Sequence, residues 1–103
     1  QVVRVHATSV EKFAVVLRGS EAEPFDLVFA DPPYADVADG TVTAALEPIF
    51  TGGIREGRFS SEARFVVEHA SRDEPPTFTS LELVRKRTYG DTSIAIFGIA
   101  GVG

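Results

Sequence analysis

Asp31-Pro32-Pro33-Tyr34 is the run whose residue types and spacing can do chemistry in this 103-residue chain. It follows directly on Leu27-Val28-Phe29-Ala30, a continuous apolar stretch. Such a stretch suits a strand covered on both faces, as in a parallel sheet. The two prolines stop it, because neither can donate to a ladder. Ligands of open α/β sheets bind beyond the carboxyl ends of the strands, where this turn would stand. Its residues suit work on an exocyclic amino group, whose lone pair is delocalised into the ring and is a poor nucleophile. The Asp31 carboxylate and the Pro32 carbonyl, fixed by the restricted dihedrals around Pro33, would accept from the amino hydrogens and localise the pair. Tyr34 offers a flat face for a base taken out of its stack. In-line methyl transfer from a sulfonium then needs positioning more than a strong base. Asp and Pro are also ordinary residues of a stiff turn; the placement after a buried-type strand is what favours chemistry.

The surrounding pattern supplies elements to hold that turn. Val2-Val3-Arg4-Val5-His6 alternates and is rich in β-branched residues, so it reads as a strand. Thr8 or Ser9 can cap a helix with Glu11 or Lys12 in its first turn, and Val10, Phe13, Ala14 and Leu17 fall on one helical face before Gly19-Ser20. Phe25 to Ala30 is the second strand. Val42, Ala45, Leu46 and Ile49 are at helical spacing within 37–51, where Pro48 is expected to kink or shorten the helix. Gly52, Gly53 and Gly57 read as a turn-rich passage before a third strand, Ala63 to Glu68. After a loop centred on Pro75-Pro76, Leu81 to Tyr89 and Thr92 to Ile99 read as a hairpin about Gly90-Asp91. Alternation of strands with helices implies an α/β, doubly wound parallel sheet, and the hairpin adds an antiparallel edge.

Composition bounds the function classes. A chain this size buries roughly two-thirds of its unfolded surface and supports one core, so 1–103 is one domain or part of one. It has no cysteine, which excludes disulfides, thiolate metal sites and cysteine nucleophiles. No apolar run approaches the ~20 residues that span a bilayer, and no signal pattern opens the chain, so a cytoplasmic setting without membrane contact is the expectation. There is no methionine, and Gln1 is accordingly not expected to be the natural start. The net charge of −5 is unhelpful for gripping polyphosphate, so the distribution matters more than the sum. Arg85-Lys86-Arg87 is a compact basic cluster with Glu82 and Asp91 nearby, suited either to phosphate contact or to a solvated strand edge. Arg55 and Arg58 are poorer candidates. Tyr89 could stack on a base or pack across the hairpin. His6 and His69 read as structural, with no partner spacing that suggests a metal; Glu68, at a strand end, could orient the site.

Asp26 to Tyr34 resembles the motif IV strand of class I amino-methyltransferases, and especially the RsmD-type family, which methylates a guanine N2 of 16S ribosomal RNA. Phe65-Val66-Val67-Glu68-His69 is similar to that family's next strand. Arg87-Thr88-Tyr89-Gly90-Asp91-Thr92 is similar to its C-terminal hairpin, where an R-x-Y-G-x-T pattern recurs. Together these span nearly the whole chain in the right order. The D-P-P-Y string is shared with adenine-N6 enzymes; the hairpin pattern tilts the resemblance toward ribosomal RNA.

The resemblance implies S-adenosyl-L-methionine as cofactor and 16S ribosomal RNA or the small-subunit particle as partner. It implies that Asp31, Pro32, Pro33 and Tyr34 hold the target guanine. Thr8 and Ser9, with Asp31, would lie near the cofactor, although a Thr-Ser pair is equally a helix cap. Arg85, Lys86, Arg87 and Tyr89 would meet RNA.

The family's opening strand with its glycine-rich turn, and its ribose-binding acidic residue, are not found in this sequence. The chain therefore reads as the C-terminal part of a Rossmann-like class I sheet, carrying the substrate side of the site and expected to be inactive alone. In that sheet Val2 to His6 would lack its usual neighbour. The edge of Leu27 to Ala30 would lie open, favouring self-association through it or a rearranged first strand paired to it. An adenine-N6 methyltransferase, and a non-catalytic α/β interaction domain that retained the turn, stand as the other readings.

Overall fold

A computed structural model of the chain describes residues 2–5, 15–20, 23–30, 32 and 34–101, with side chains for 24–30, 32, 35 and 37–101. Its elements are β1 (Val2–Val5), β2 (Val15–Ser20), β3 (Glu23–Ala30), α1 (Tyr34–Ala38), α2 (Thr41–Arg55), β4 (Phe59–Ala70), β5 (Leu81–Tyr89) and β6 (Thr92–Ile99). The six strands form one sheet in the order β1-β2-β3-β4-β6-β5.

The α/β class and the partial Rossmann-like sheet with a C-terminal antiparallel hairpin are as the sequence implies. The parallel pairing is confined to β3 and β4, from Leu27↔Arg64 to Ala30↔Val67. The last strand, β6, inserts between β4 and β5 and runs antiparallel to both. The hairpin limits and its Gly90-Asp91 turn match the sequence reading.

The amino-terminal part differs from expectation. Val15–Ser20, read as the second half of a helix with Leu17 on its face, is strand β2. It pairs antiparallel with β3, Val15↔Ala30 through Arg18↔Leu27, and on its other side with β1. The helical spacing lost to a demand of the sheet: without β2 the N–H and C=O groups along one side of β3 would have no ladder partner. A Val-Val-Leu run fits that place as well as it fits a helix. The β3 edge is thus not open, and β1 pairs with β2 and not with β3. His6, Thr8, Ser9, Val10, Phe13 and Ala14 lie outside the described residues.

Helix α2 is longer than expected and runs through Pro48, seven residues beyond it. Gly52 and Gly53 lie inside this helix and not in a turn. Its buried stripe is Val42, Leu46, Phe50 and Gly53, whereas Ile49 is 46% exposed. The stripe steps by four, four and three, and Ile49 falls one residue off it.

The core lies between α2 and one face of the sheet. Phe50 is its hub, with ring centroids 4.9 Å from Phe65 and 5.3 Å from Phe78. Phe59 stacks edge-on to Phe65 at 5.0 Å, and Phe78 to Phe97 at 5.3 Å. Alternation sends Phe65, Val67 and His69 of β4, and Ser93, Ala95 and Phe97 of β6, to this covered face. Val66, Ile94, Ile96 and Phe29 point the other way and are half-buried. Val37 of α1 joins the same cluster as α2. The second face is not covered by the described helices, so the doubly wound expectation is met on one side.

Candidate functional site

β4 and β5 both oppose β6, so β5 runs in the same direction as β3 and β4. The turn after β3, the exit of β4 and the tip of the β5–β6 hairpin therefore gather at the carboxyl end of the sheet. The last rungs show this: Ala30 opposes Val67, and three residues further Ala70 opposes Thr92, which opposes Tyr89. The Ser71 N–H donates to the Asp91 carbonyl at 2.9 Å, clasping the exit of β4 to the hairpin tip.

Pro32 is buried at this end, and α1 begins two residues later at Tyr34. Asp31 and Pro33 lie outside the described residues, as does the Tyr34 side chain. The position of the run is nonetheless bracketed, by Ala30 at the last rung and Val37 in the core.

A cleft of about 300 Å³ opens between the α1–α2 region and the 73–77 loop, with Val37, Gly40 and Thr43 on one wall and Asp73, Pro75 and Thr77 on the other. A second, more apolar cleft of about 460 Å³ lies across the Pro75-Pro76 ridge, against Phe78, Leu81, Leu83 and Phe97. The chain after the ridge, at Thr79 and Ser80, is held by Glu47, a residue without a sequence signal for this role. Its Oε1 accepts from the Ser80 N–H at 3.1 Å and from the Thr79 hydroxyl. Nothing in the spacing of Glu47 and Ser80, 33 residues apart, could have revealed that clasp.

His69 is fully buried and donates its Nδ1–H to the Ala70 carbonyl at 2.9 Å, while Nε2 has no partner among the described residues. In the adjacent strand Ser93 is also buried, hydrogen-bonded to Thr88 at 2.8 Å. Among the described residues no group of three or more His, Asp or Glu could hold a metal ion. No described helix is long and apolar enough to cross a membrane.

The basic cluster is split by the pleat. Arg85, Arg87 and Tyr89 oppose Ile96, Ile94 and Thr92, on the sheet face away from α2. Lys86 opposes Ala95 and belongs to the α2 side. All four are exposed. Arg55 and Arg58 lie before the start of β4, at the opposite end of the sheet, and Arg58 is paired with Glu56 at 2.9 Å. The structure thus brings Arg87 and Tyr89 to the end of the sheet where β3 finishes at Ala30, and leaves Arg55 and Arg58 away from it. Thr8 and Ser9 lie outside the described residues.

The described glycines do not form a cofactor cradle. Gly52 and Gly53 are helical, and Gly57, Gly90 and Gly101 follow a helix or strands without leading into a helix from a strand. The methionine part of S-adenosyl-L-methionine is therefore not fitted by these residues.

No curated protein sequence matches this chain. A solved conserved hypothetical protein of Streptococcus pyogenes is similar, with 26% identity and a TM-score of 0.56 over 79% of this chain and 47% of that one. A solved protein described as "Putative methyltransferase yhhF from Escherichia coli" shares 22% identity, with a TM-score of 0.46, over 75% of this chain and 38% of that one. The chain thus spans about half the length of the first and less of the second. The family described as conserved hypothetical protein 95 matches residues 2–98. With the match running from β1 to the end of β6, the chain belongs to that family, which is of the methyltransferase kind.

Proposed function

We propose that this chain forms the substrate side of an S-adenosyl-L-methionine-dependent methyltransferase that modifies the exocyclic N2 of a guanine in 16S ribosomal RNA. The observation that carries the reading is the placement of Asp31-Pro32-Pro33-Tyr34 directly after Ala30, the last rung of the one parallel pair in the sheet. Active sites of such sheets lie beyond that end. Asp31 and the Pro32 carbonyl accept from the target amino group, and Tyr34 packs on the extruded base. The burial of Pro32 supports a carbonyl whose orientation is restricted by the proline that follows it. The tip of the R-x-Y-G-x-T hairpin, at the same end, supports an RNA substrate.

S-adenosyl-L-methionine, when bound by the intact protein, would supply the methyl group. The residues of this chain contribute orientation of the nitrogen and exclusion of water, and the reading assigns no activity to the chain by itself. The protein acts in the cytoplasm, where its ribosomal substrate is assembled.

The test is methyl transfer by the intact protein from labelled S-adenosyl-L-methionine to small-subunit particles that lack the modification, alongside adenine-containing duplex DNA. Label recovered as N2-methylguanine in 16S RNA is the expected result. Label in adenine would replace this reading by the adenine-N6 one. No transfer to either, or full transfer by an Asp31→Ala variant, would remove the mechanism.

A further inference from the structure

Edge strand β5 carries an irregularity that decides which of its cations share a face. Leu81 opposes Ile99 and Leu83 opposes Phe97, so both belong to the face covered by α2. Strict alternation would send Arg85, Arg87 and Tyr89 to that same face. A bulge between Leu83 and Arg85 inserts Val84, and the register resumes with Arg85 opposite Ile96. Bulges re-aim side chains in this way. Gly98 leaves room for it: a Cβ there would lie 3.3 Å from Val84 Cγ2 and 2.9 Å from Arg64 Nη1.

We propose that the Val84 bulge sets Arg85, Arg87 and Tyr89 in one line on the sheet face away from α2, as a track for the sugar–phosphate backbone flanking the target nucleotide, with Lys86 outside it. The inference rests on the reading that the substrate is RNA. Several observations converge on it. Arg85 and Arg87 are exposed and have no carboxylate partner among the described residues. Guanidinium groups so placed are complementary to phosphate, which they can grip bidentately. Consecutive members of the track are two residues apart, a step of about 6.8 Å along a strand. Tyr89, 58% exposed, stands at the end of the line toward the carboxyl end of the sheet, where a neighbouring base can lie on its ring. Phosphate contacts of this kind position a substrate without reading its sequence.

The experiment is RNA binding by the intact protein to a 16S ribosomal RNA fragment, measured over a series of salt concentrations. The variants are R85A/R87A, K86A and Y89A, each checked for an unchanged unfolding midpoint. The double variant is expected to reduce the slope of log K against log salt by roughly 1.5, about 0.7–0.9 for each phosphate that is no longer neutralised. K86A leaves the slope where it was, although it too removes a positive charge. Y89A weakens binding without changing the slope, because stacking releases no counterions. The track is overturned if K86A lowers the slope as much as the arginine pair does, or if the arginine pair leaves it unchanged. If the unaltered protein instead binds and methylates duplex DNA only, the underlying RNA reading fails first, and the two failures are told apart by that control.

Discussion

A Cβ added at Gly53 would come within 2.3 Å of Phe59 Cε2, so the last turn of α2 rests its backbone directly on that ring. The ring in turn packs edge-on against Phe65 at 5.0 Å and cannot swing away freely. One helix position earlier, Gly52 has nothing within 4 Å of the same hypothetical atom. Gly53→Ala should therefore destabilise the protein by about 1–3 kcal/mol, the usual cost of overpacking. Gly52→Ala should stabilise it by up to about 1 kcal/mol through helix propensity. Denaturant unfolding of the two variants side by side checks the opposite signs.

Phe50 joins the helix to the sheet through Phe65 and Phe78, and is 1% exposed. Phe50→Ala removes that hub and leaves a cavity that its ring neighbours fill only in part. A loss of about 3–5 kcal/mol is expected, and Phe50→Leu should cost less. Ile49→Ala, one residue away and half in solvent, should cost under half as much as Phe50→Ala. Equal losses at 49 and 50 would show that the buried stripe has been misassigned.

Glu47 ties α2 to the start of β5 through Thr79 and Ser80. Glu47→Ala leaves the Ser80 N–H and two hydroxyls without this acceptor, at about 1–3 kcal/mol. The local signature is sharper than the global one. Amide exchange at Ser80 should accelerate well beyond the change at residues in the middle of β6, because the clasp opens before the sheet does.

Asp31→Asn keeps the size of the side chain but turns one acceptor oxygen into a donor. Methyl transfer by the intact protein should fall roughly 100-fold or more in kcat, the order seen when one positioning hydrogen bond is removed. Substrate RNA affinity should change little, since the proposed phosphate contacts of Arg85 and Arg87 lie elsewhere. A large rise in KM with kcat preserved would point to Asp31 as a binding group without a role at the amino nitrogen.

The local signals in the sequence were strongest where backbone chemistry is self-contained. The continuous apolar run at Leu27 to Ala30 ended by two prolines, and the Gly90-Asp91 pair between two strand-like runs, specify strand ends from within a few residues. Those elements and their order along the chain were legible without coordinates. The residue content of the proposed site is read from the sequence alone. Other features depended on partners distant in sequence. Val15 to Ser20 fits a helix and a strand alike, and the unmet ladder of β3 made it a strand. Gly53 reads in sequence as a turn residue, and its place inside α2 against Phe59 is set by the packing of the helix on the sheet. The basic triplet looked like one cluster, yet the Val84 bulge places Arg85 and Arg87 on one face and Lys86 on the other. Sequence by itself determined which residues can do chemistry and roughly where strands end, because those depend on dihedrals and donors within a few residues. Only the tertiary structure decided which face each side chain serves, because register and bulges are set by the pairing of strands far apart in the chain.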